Sequence, residues 1–322
     1  MSNLAADNAI ASFLARTDAL IRGMDPQGRR VARELTAVLE AADGSLSKRL
    51  LAFSHLTGDE LLFSEASMLM YQSQIRSVLE VVQGRLLGFT NEQSIRAASL
   101  GLRRVVDLTN KLETAFTGIA MPLRVDESII SRMRPSLLAR HETSVARYGS
   151  SMIRRAQMMM SQGFIEGISQ GQMVDRLMRL KGPRGLFVES RYWAWRIIRT
   201  ETAEAQNMAS QMEIEQAAQA IPDMQRKILA IMDKRTARDS IGVHGQVRGR
   251  NEPFTDGAGR VYQRPPSRPH DRETLIPWRS RWPHTSRSRP LTREEQDSVW
   301  DQNQRWQADQ QRQRRRQRAR GV

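Results

Sequence analysis

The chain has 322 residues, enough for one large domain or two of ordinary size. It contains no cysteine, which excludes disulfides, thiolate zinc sites, iron–sulfur clusters and cysteine nucleophiles together. Its net charge is +15, and residues 226–322 carry +12 of that (23 basic against 11 acidic side chains), so the partner suggested is extended and anionic, nucleic acid ahead of a membrane surface.

Aromatic residues are only 6% of the chain, so burial must rely on Leu, Ile, Val, Ala and 16 Met, a composition suited to packed helices. Only five of the 50 basic residues are Lys. Arg is the better phosphate clamp because its planar fork bonds two oxygens at once, and a GC-rich genome produces the same bias without any phosphate. The opening "MSNLAADNAIASFLARTDALIRG" has no basic leader and carries Asp7 ahead of its apolar residues. No apolar run approaches the roughly 18 residues a membrane span needs. The expectation is a soluble chain made in the cytoplasm.

From residue 3 to about 220 the pattern is helix after helix. Leu61, Met68, Ile75, Leu79, Val82 and Leu86 keep one stripe inward. Thr90-Asn-Glu-Gln93 reads as a capping box, followed by Ala98, Leu102, Val105, Thr109, Leu112 and Phe116 in strict 4-3-4-3-4 order. This predicts two long helices, antiparallel around a Gly88-Phe-Thr turn. Met152, Met158, Met159 and Met160 read as core filler ahead of an adaptable binding surface. Ser169-Gln-Gly-Gln172 caps another helix bearing Met173, Leu177 and Leu180, which "KGPRG" at 181–185 ends. Trp195, Ile198, Thr202, Ala205, Ala209 and Met212 mark one buried face of the next helix. Ile228, Leu229 and Met232 read as one more helical run, ending at Asp233.

Beyond it, seven of the twelve prolines lie between 253 and 290, and "VHGQV" and "RVYQRPP" fit strands or extended turns. Helix returns at the capping box Thr292-Arg-Glu-Glu295. The expected fold is mainly α: a long-helix N-terminal body (1–165), a small α+β C-terminal module (166–285), and a basic C-terminal helix with an Arg-rich tail (286–322).

Three pieces carry the functional argument: "RYWAWRIIRTETAEAQN" (191–207), "DKRTARDSIGVHGQV" (233–247) and "RPPSRPHDRETLIPW" (264–278). Arg199 and Glu201 lie about 200° apart around a helix and need separate partners. Glu201 sits at the margin of the buried stripe, where an unpaired carboxylate is costly. Asp233, at a helix C-terminus, asks for a cation. The expectation is an ionic clamp of Glu201, Asp233 and Arg235, against the alternative that these are ordinary solvated charges.

The order Arg-Thr-Glu on a helix, Asp-x-Arg-Thr, a His-Gly-Gln loop, and Pro-Pro followed by Thr-Leu-Ile-Pro resembles the phage head morphogenesis family, the Mu F-like minor head proteins. The resemblance covers roughly 165 to 280, including the "GISQGQ" helix start. In that family the second piece often continues to a Cys and a His, and the third often reads His-Pro-x-Cys-Arg-Cys. Those positions fall here on Ala237 and Ser240, and on Arg268, Asp271 and Glu273, so thiol and imidazole are absent from all of them. Asp271 and Glu273 are expected to pair with Arg235, Arg238 or Arg272 instead, so that charge replaces coordination. The alternative is a hard-cation site of Asp271, Glu273 and Asp239.

No P-loop, dinucleotide turn, GxSxG, HExxH or close pair among His55, His141, His244, His270 and His284 is present. His244 reads as a turn residue beside Gly245. The expectation is a non-enzyme with no cofactor and no metal. A hydrolase or transferase using Asp271 and Glu273 is the reading set against it. The tail residues Arg312, Arg314, Arg315, Arg316, Arg318 and Arg320 suit a DNA-contacting arm that neutralises phosphates without reading sequence, or a helix end favoured by its own dipole.

The resemblance implies a structural minor head protein of a tailed phage. It would bind portal protein and/or major capsid protein during procapsid assembly, and be present in multiple copies inside the head near the portal vertex, with double-stranded DNA as a non-specific partner. It would reside in the host cytoplasm during assembly and have no membrane partner. The alternative is a free nucleic-acid-binding protein not incorporated in the virion.

Overall fold

The structure, a computed structural model, describes residues 3–121, 123–178, 186–269 and 271–319, and at 187–189, 314, 318 and 319 the backbone only. It is mainly α, with long helices first, a small sheet region after them and a C-terminal helix. The elements are α1 (Asn3–Ile21), α2 (Pro26–Thr57), α3 (Glu65–Thr117), α4 (Ser128–Ile165), α5 (Gln170–Met178), α6 (Leu186–Ala220), β1 (Met224–Ala230), α7 (Arg238–Val243), β2 (Val247–Arg248), β3 (Phe254–Thr255), β4 (Val261–Tyr262), β5 (Glu273–Arg279) and α8 (Arg293–Ala319). None of the helices is long and apolar enough to cross a membrane, among the described residues.

The chain groups into two compact units. One comprises Gly23–Gln93 and Pro135–Glu201, the other Met1–Arg22, Ser94–Arg134 and Thr202–Val322. Neither coincides with 1–165, 166–285 or 286–322.

The first unit is all helix. Asp25 caps α2 by accepting from the Gly28 N–H at 2.9 Å, with Pro26 at the first helical position, where its missing N–H costs nothing. Val31, Leu35, Leu39, Leu46 and Leu50 of α2 then recur at helical spacing and pack with Tyr71, Ile75, Leu79, Val82 and Leu86 of α3, Tyr148, Met152 and Met160 of α4, and Met173 and Leu177 of α5. The Ser169–Gln172 box is formed reciprocally: Ser169 N–H donates to Gln172 Oε1 at 2.9 Å and Gln172 N–H to Ser169 Oγ at 3.3 Å. The Met cluster divides, with Met152 and Met160 buried and Met158 exposed. Leu180 and 181–185 lie outside the described residues.

Three sequence expectations are corrected. Thr90–Gln93 does not cap a new helix, because α3 runs unbroken from Glu65 to Thr117. Val82, Leu86, Thr90, Gln93 and Ala97 continue one buried stripe in phase, and the Thr90 hydroxyl donates to the Leu86 carbonyl four residues back at 2.7 Å, as in a helix interior. The antiparallel pair around Gly88 is therefore a single helix. Leu61 stands before α3 and is exposed. Ile228 and Leu229 belong to a strand. Consecutive buried residues suit a strand covered on both faces, which apolar periodicity confuses with a helix.

The second unit surrounds a three-stranded antiparallel sheet of order β2-β1-β5. Its register sets Ile228 opposite Leu275 and Lys227 opposite Ile276. Alternation then divides the two faces. Leu229, Ile276 and Trp278 pack with Ile10 and Phe13 of α1, Leu108 and Leu112 of α3, and Ile214 of α6. Ile228 and Leu275 pack with Val243 and Phe254 under the β3–β4 hairpin. Gly245 makes the turn into β2 at φ +79°, and a Cβ there would lie 2.4 Å from Pro290 N, so no other residue fits. The 4-3-4 stripe of α3 from Ala98 to Leu112 is buried as expected.

Candidate functional site

Two of the three sequence pieces, 233–247 and 264–278, lie wholly in the second unit, together with the end of the first piece from Thr202 on. Asn207 of α6 grips the edge of β5: its Nδ2 donates to the Glu273 carbonyl at 3.1 Å and its Oδ1 accepts from the Leu275 N–H at 2.8 Å. Arg264 reaches back to Glu204 of the same helix at 2.8 Å. Residues 237, 240, 268 and 271 line one cavity of about 230 Å³ together with Arg235, Thr236 and Arg272. Four positions that the family pattern gives to thiol or imidazole thus face one small space, and the fifth, Glu273, is the first residue of β5, two positions beyond Asp271.

Ion pairs form around Asp271, with partners other than those expected. Arg268 donates from Nε to Asp271 Oδ1 and from Nη1 to Asp239 Oδ2, each at 2.7 Å. Asp239 also accepts from Arg260 at 2.8 Å, and Arg260 from Nε bonds Asp256 at 2.7 Å. The result is a chain of alternating sign: Asp256, Arg260, Asp239, Arg268, Asp271. Burial disfavours the charge of Arg268, but the hydrogen bond and charge of Asp271 outweigh it and raise its pKa. Asp271 is also tied by Ser267 Oγ at 2.9 Å and the Arg268 N–H at 3.0 Å. A carboxylate held by three donors in a buried loop is a brace.

Glu273 behaves differently. It is fully buried, accepts from the Tyr262 hydroxyl at 3.2 Å, and touches no guanidinium among the described pairs. Burial, followed by the neighbouring Asp271 charge, pushes its carboxyl up to about 7. The expectation that both carboxylates pair with Arg235, Arg238 or Arg272 is corrected on each count. Arg235 is exposed and turns to Asp233, its backbone N–H donating to Asp233 Oδ1 at 2.8 Å. Arg238 pairs with Asp297 at 2.9 Å. Arg272 pairs with Asp233, Nη1 to Oδ2 at 2.8 Å, and with Asp18 at 3.4 Å.

The expected clamp of Glu201, Asp233 and Arg235 separates in the same way. Asp233 is satisfied by Arg272, in a turn after β1. Glu201 is buried in the other unit and accepts from Arg140 Nε at 2.6 Å and Ser144 Oγ at 2.8 Å. The buried carboxylate is paired, as its desolvation requires, but by residues of α4 that lie 61 and 57 positions away in sequence. Arg199 is half-buried on α6. Among the described residues no group of three or more His, Asp or Glu is arranged to hold a metal ion.

The basic helix has two halves. The first is anchored: Thr292 and Glu295 form the expected capping box at 2.9 and 3.2 Å, and the buried Asn303 donates to the Thr236 carbonyl at 3.0 Å. Beyond Asp309 no acid follows, and Arg312, Arg315 and Arg316 are exposed. Arg314 and Arg318 are described in backbone only, and Arg320 lies outside the described residues.

Arg279 and Lys227, like the fully buried Arg226, are buried cations that carry no signal in the sequence pattern. Arg279 bonds Asp223 Oδ1 at 2.6 Å and Glu113 Oε1 at 2.9 Å, while Trp282 Nε1 donates to Glu113 Oε2 at 2.9 Å. Lys227 is fully buried, 3.2 Å from the centre of the Trp278 ring and 2.8 Å from His284 Nδ1, and burial lowers its pKa to about 6. His244 does occupy the turn, where its Nδ1 accepts from the Ala230 N–H at 3.2 Å.

No protein-family model, curated protein or solved structure matches this chain.

Proposed function

We propose that this protein is a structural minor head protein of a tailed bacteriophage, without enzymatic activity, which binds portal and/or major capsid protein during procapsid assembly and contacts packaged double-stranded DNA non-specifically through the basic end of α8. One observation supports this reading above others. Positions 237, 240, 268 and 271, which the sequence resemblance aligns with four of the family's thiol and imidazole residues, line a single cavity in which Arg268 pairs with Asp271 and Asp239.

The test is co-purification. Tagged portal or major capsid protein from infected cells should retain this chain, and a chain that is never retained with either removes the reading. The exposed Arg312, Arg315 and Arg316 favour a second reading, a free nucleic-acid-binding protein outside the virion. Deleting 311–322 separates the two: incorporation into particles survives under the first, and under the second the protein loses its only working part.

A further inference from the structure

In the first unit, the end of α2, the loop 58–64 and the turn from α4 to α5 are bonded into one surface. Gln170 N–H donates to the Leu61 carbonyl at 2.9 Å and Phe63 N–H to the Ile168 carbonyl at 3.0 Å, while Gly167 makes the turn at φ +63°. Phe63 is buried against the Tyr71 ring. Its neighbours do the reverse: Leu56, Leu61, Leu62, Phe164 and Ile165 are 86, 60, 69, 49 and 83% exposed. Met158, also exposed, precedes Ile165 by two helical turns, and both line a groove of about 600 Å³ along α4. Large apolar side chains gathered within a polar rim mark a site of protein contact. The charge is as unusual. In a chain with 50 Lys and Arg, residues 50–75 and 156–175 contain neither, yet supply Asp59, Glu60, Glu65, Glu166 and Asp175. Arg176, which follows, pairs with Glu166, and His55 hydrogen-bonds Asp59 at 2.7 Å.

We infer that this surface docks an amphipathic helix of a different protein, one whose apolar face is flanked by Lys and Arg. The exposed Leu, Phe and Ile side chains supply the area such a helix buries, and the acids fix its register and reject wrong partners. Nucleic acid and anionic lipid are repelled by the same carboxylates. A second copy offering the same face would set acid against acid, and the exposed end of α8 brings Arg and Gln but no apolar side chain. Backbone hydrogen bonds already hold the loop and the turn, so docking costs little ordering. The surface does not depend on the minor-head reading; under that reading portal or major capsid protein supplies the helix.

Fluorescence anisotropy of the full chain with a fluorescein-labelled model helical peptide of Leu and Lys tests the surface, with a peptide of Leu and Glu as the counterpart. The Leu–Lys peptide should bind and the Leu–Glu peptide should not. Leu62→Gln with Ile165→Gln, and separately Glu60→Lys with Glu65→Lys, should each weaken binding by about tenfold or more. Val81→Gln, which removes an exposed apolar side chain farther along α3, should leave binding unchanged. Every substituted side chain is exposed, so thermal melts of the variants should match the parent. Tagged portal and major capsid protein test the minor-head reading separately: the two surface variants should escape whichever of them retains the parent. If neither retains the parent, that reading fails while the peptide result still decides the surface. Equal peptide binding by parent and variants, or a Leu–Glu peptide that binds as well, overturns the inference. So does a dimer in sedimentation velocity, or binding to phosphatidylglycerol vesicles, that the Leu62 and Ile165 changes abolish.

Discussion

Arg268 and Asp239, 29 residues apart in sequence, meet at 2.7 Å through Nη1 and Oδ2, and the same guanidinium holds Asp271 through Nε. Removing it leaves the buried Asp271 without its guanidinium and takes one of two guanidinium partners from Asp239. Arg268→Ala is expected to cost about 2 kcal/mol in urea unfolding. Arg268→Lys should recover less than half of that, because an ammonium cannot span both acids as a fork does. Equal stability of the parent and Arg268→Ala would show that the brace contributes nothing.

Glu273 sets a slope of stability against pH. Its carboxyl, pushed up to about 7, keeps a proton in the folded chain that the unfolded chain releases at lower pH. Its contribution is therefore complete in acid, below the unfolded carboxyl value, and is lost as pH rises through about 7. Glu273→Gln mimics the protonated form and should flatten that decline in a series of thermal melts. A steeper decline in the variant would rule out a buried protonated acid.

Lys227 works in the opposite direction. Burial lowers it to about 6, so the unfolded chain binds the proton more readily and stability falls as pH drops from the alkaline range toward 6. His284 beside it and the Trp278 ring over it supply no acid. Lys227→Met should raise the melting temperature near neutral pH and remove this dependence, whereas a destabilised Met variant would mean that the amine is charged and needed.

The periodic helices are legible in the sequence because each keeps one apolar stripe in phase, as in the buried run from Ala98 to Leu112. The Thr90–Gln93 box misleads because polar residues can fill a buried helical layer when hydroxyls bond back to the turn before, as Thr90 does to Leu86. Strand β1 imitates a helix in sequence because burial on both faces erases the alternation that marks a strand. At the candidate site, the positions are legible and the pairings are not. Asp271 lies three residues from Arg268, a spacing that sequence does show, but Asp239 with Arg268 and Glu201 with Arg140 depend on tertiary folding that no local pattern encodes.

The exposed end of α8 gives a prediction about DNA. Replacing Arg312, Arg315 and Arg316 with Gln should weaken binding to double-stranded DNA uniformly across sequences. It should reduce the salt slope by about 3, close to 0.9 for each phosphate no longer neutralised. The melting temperature should not move, since these side chains are exposed. An unchanged slope would place the DNA-binding surface elsewhere.

Density for the intact particle tests the proposed function most directly. This chain is expected inside the head at the portal vertex, in several copies, with the end of α8 directed toward the genome. A chain missing from the particle, or one seated on the outer capsid surface away from DNA, would contradict that role.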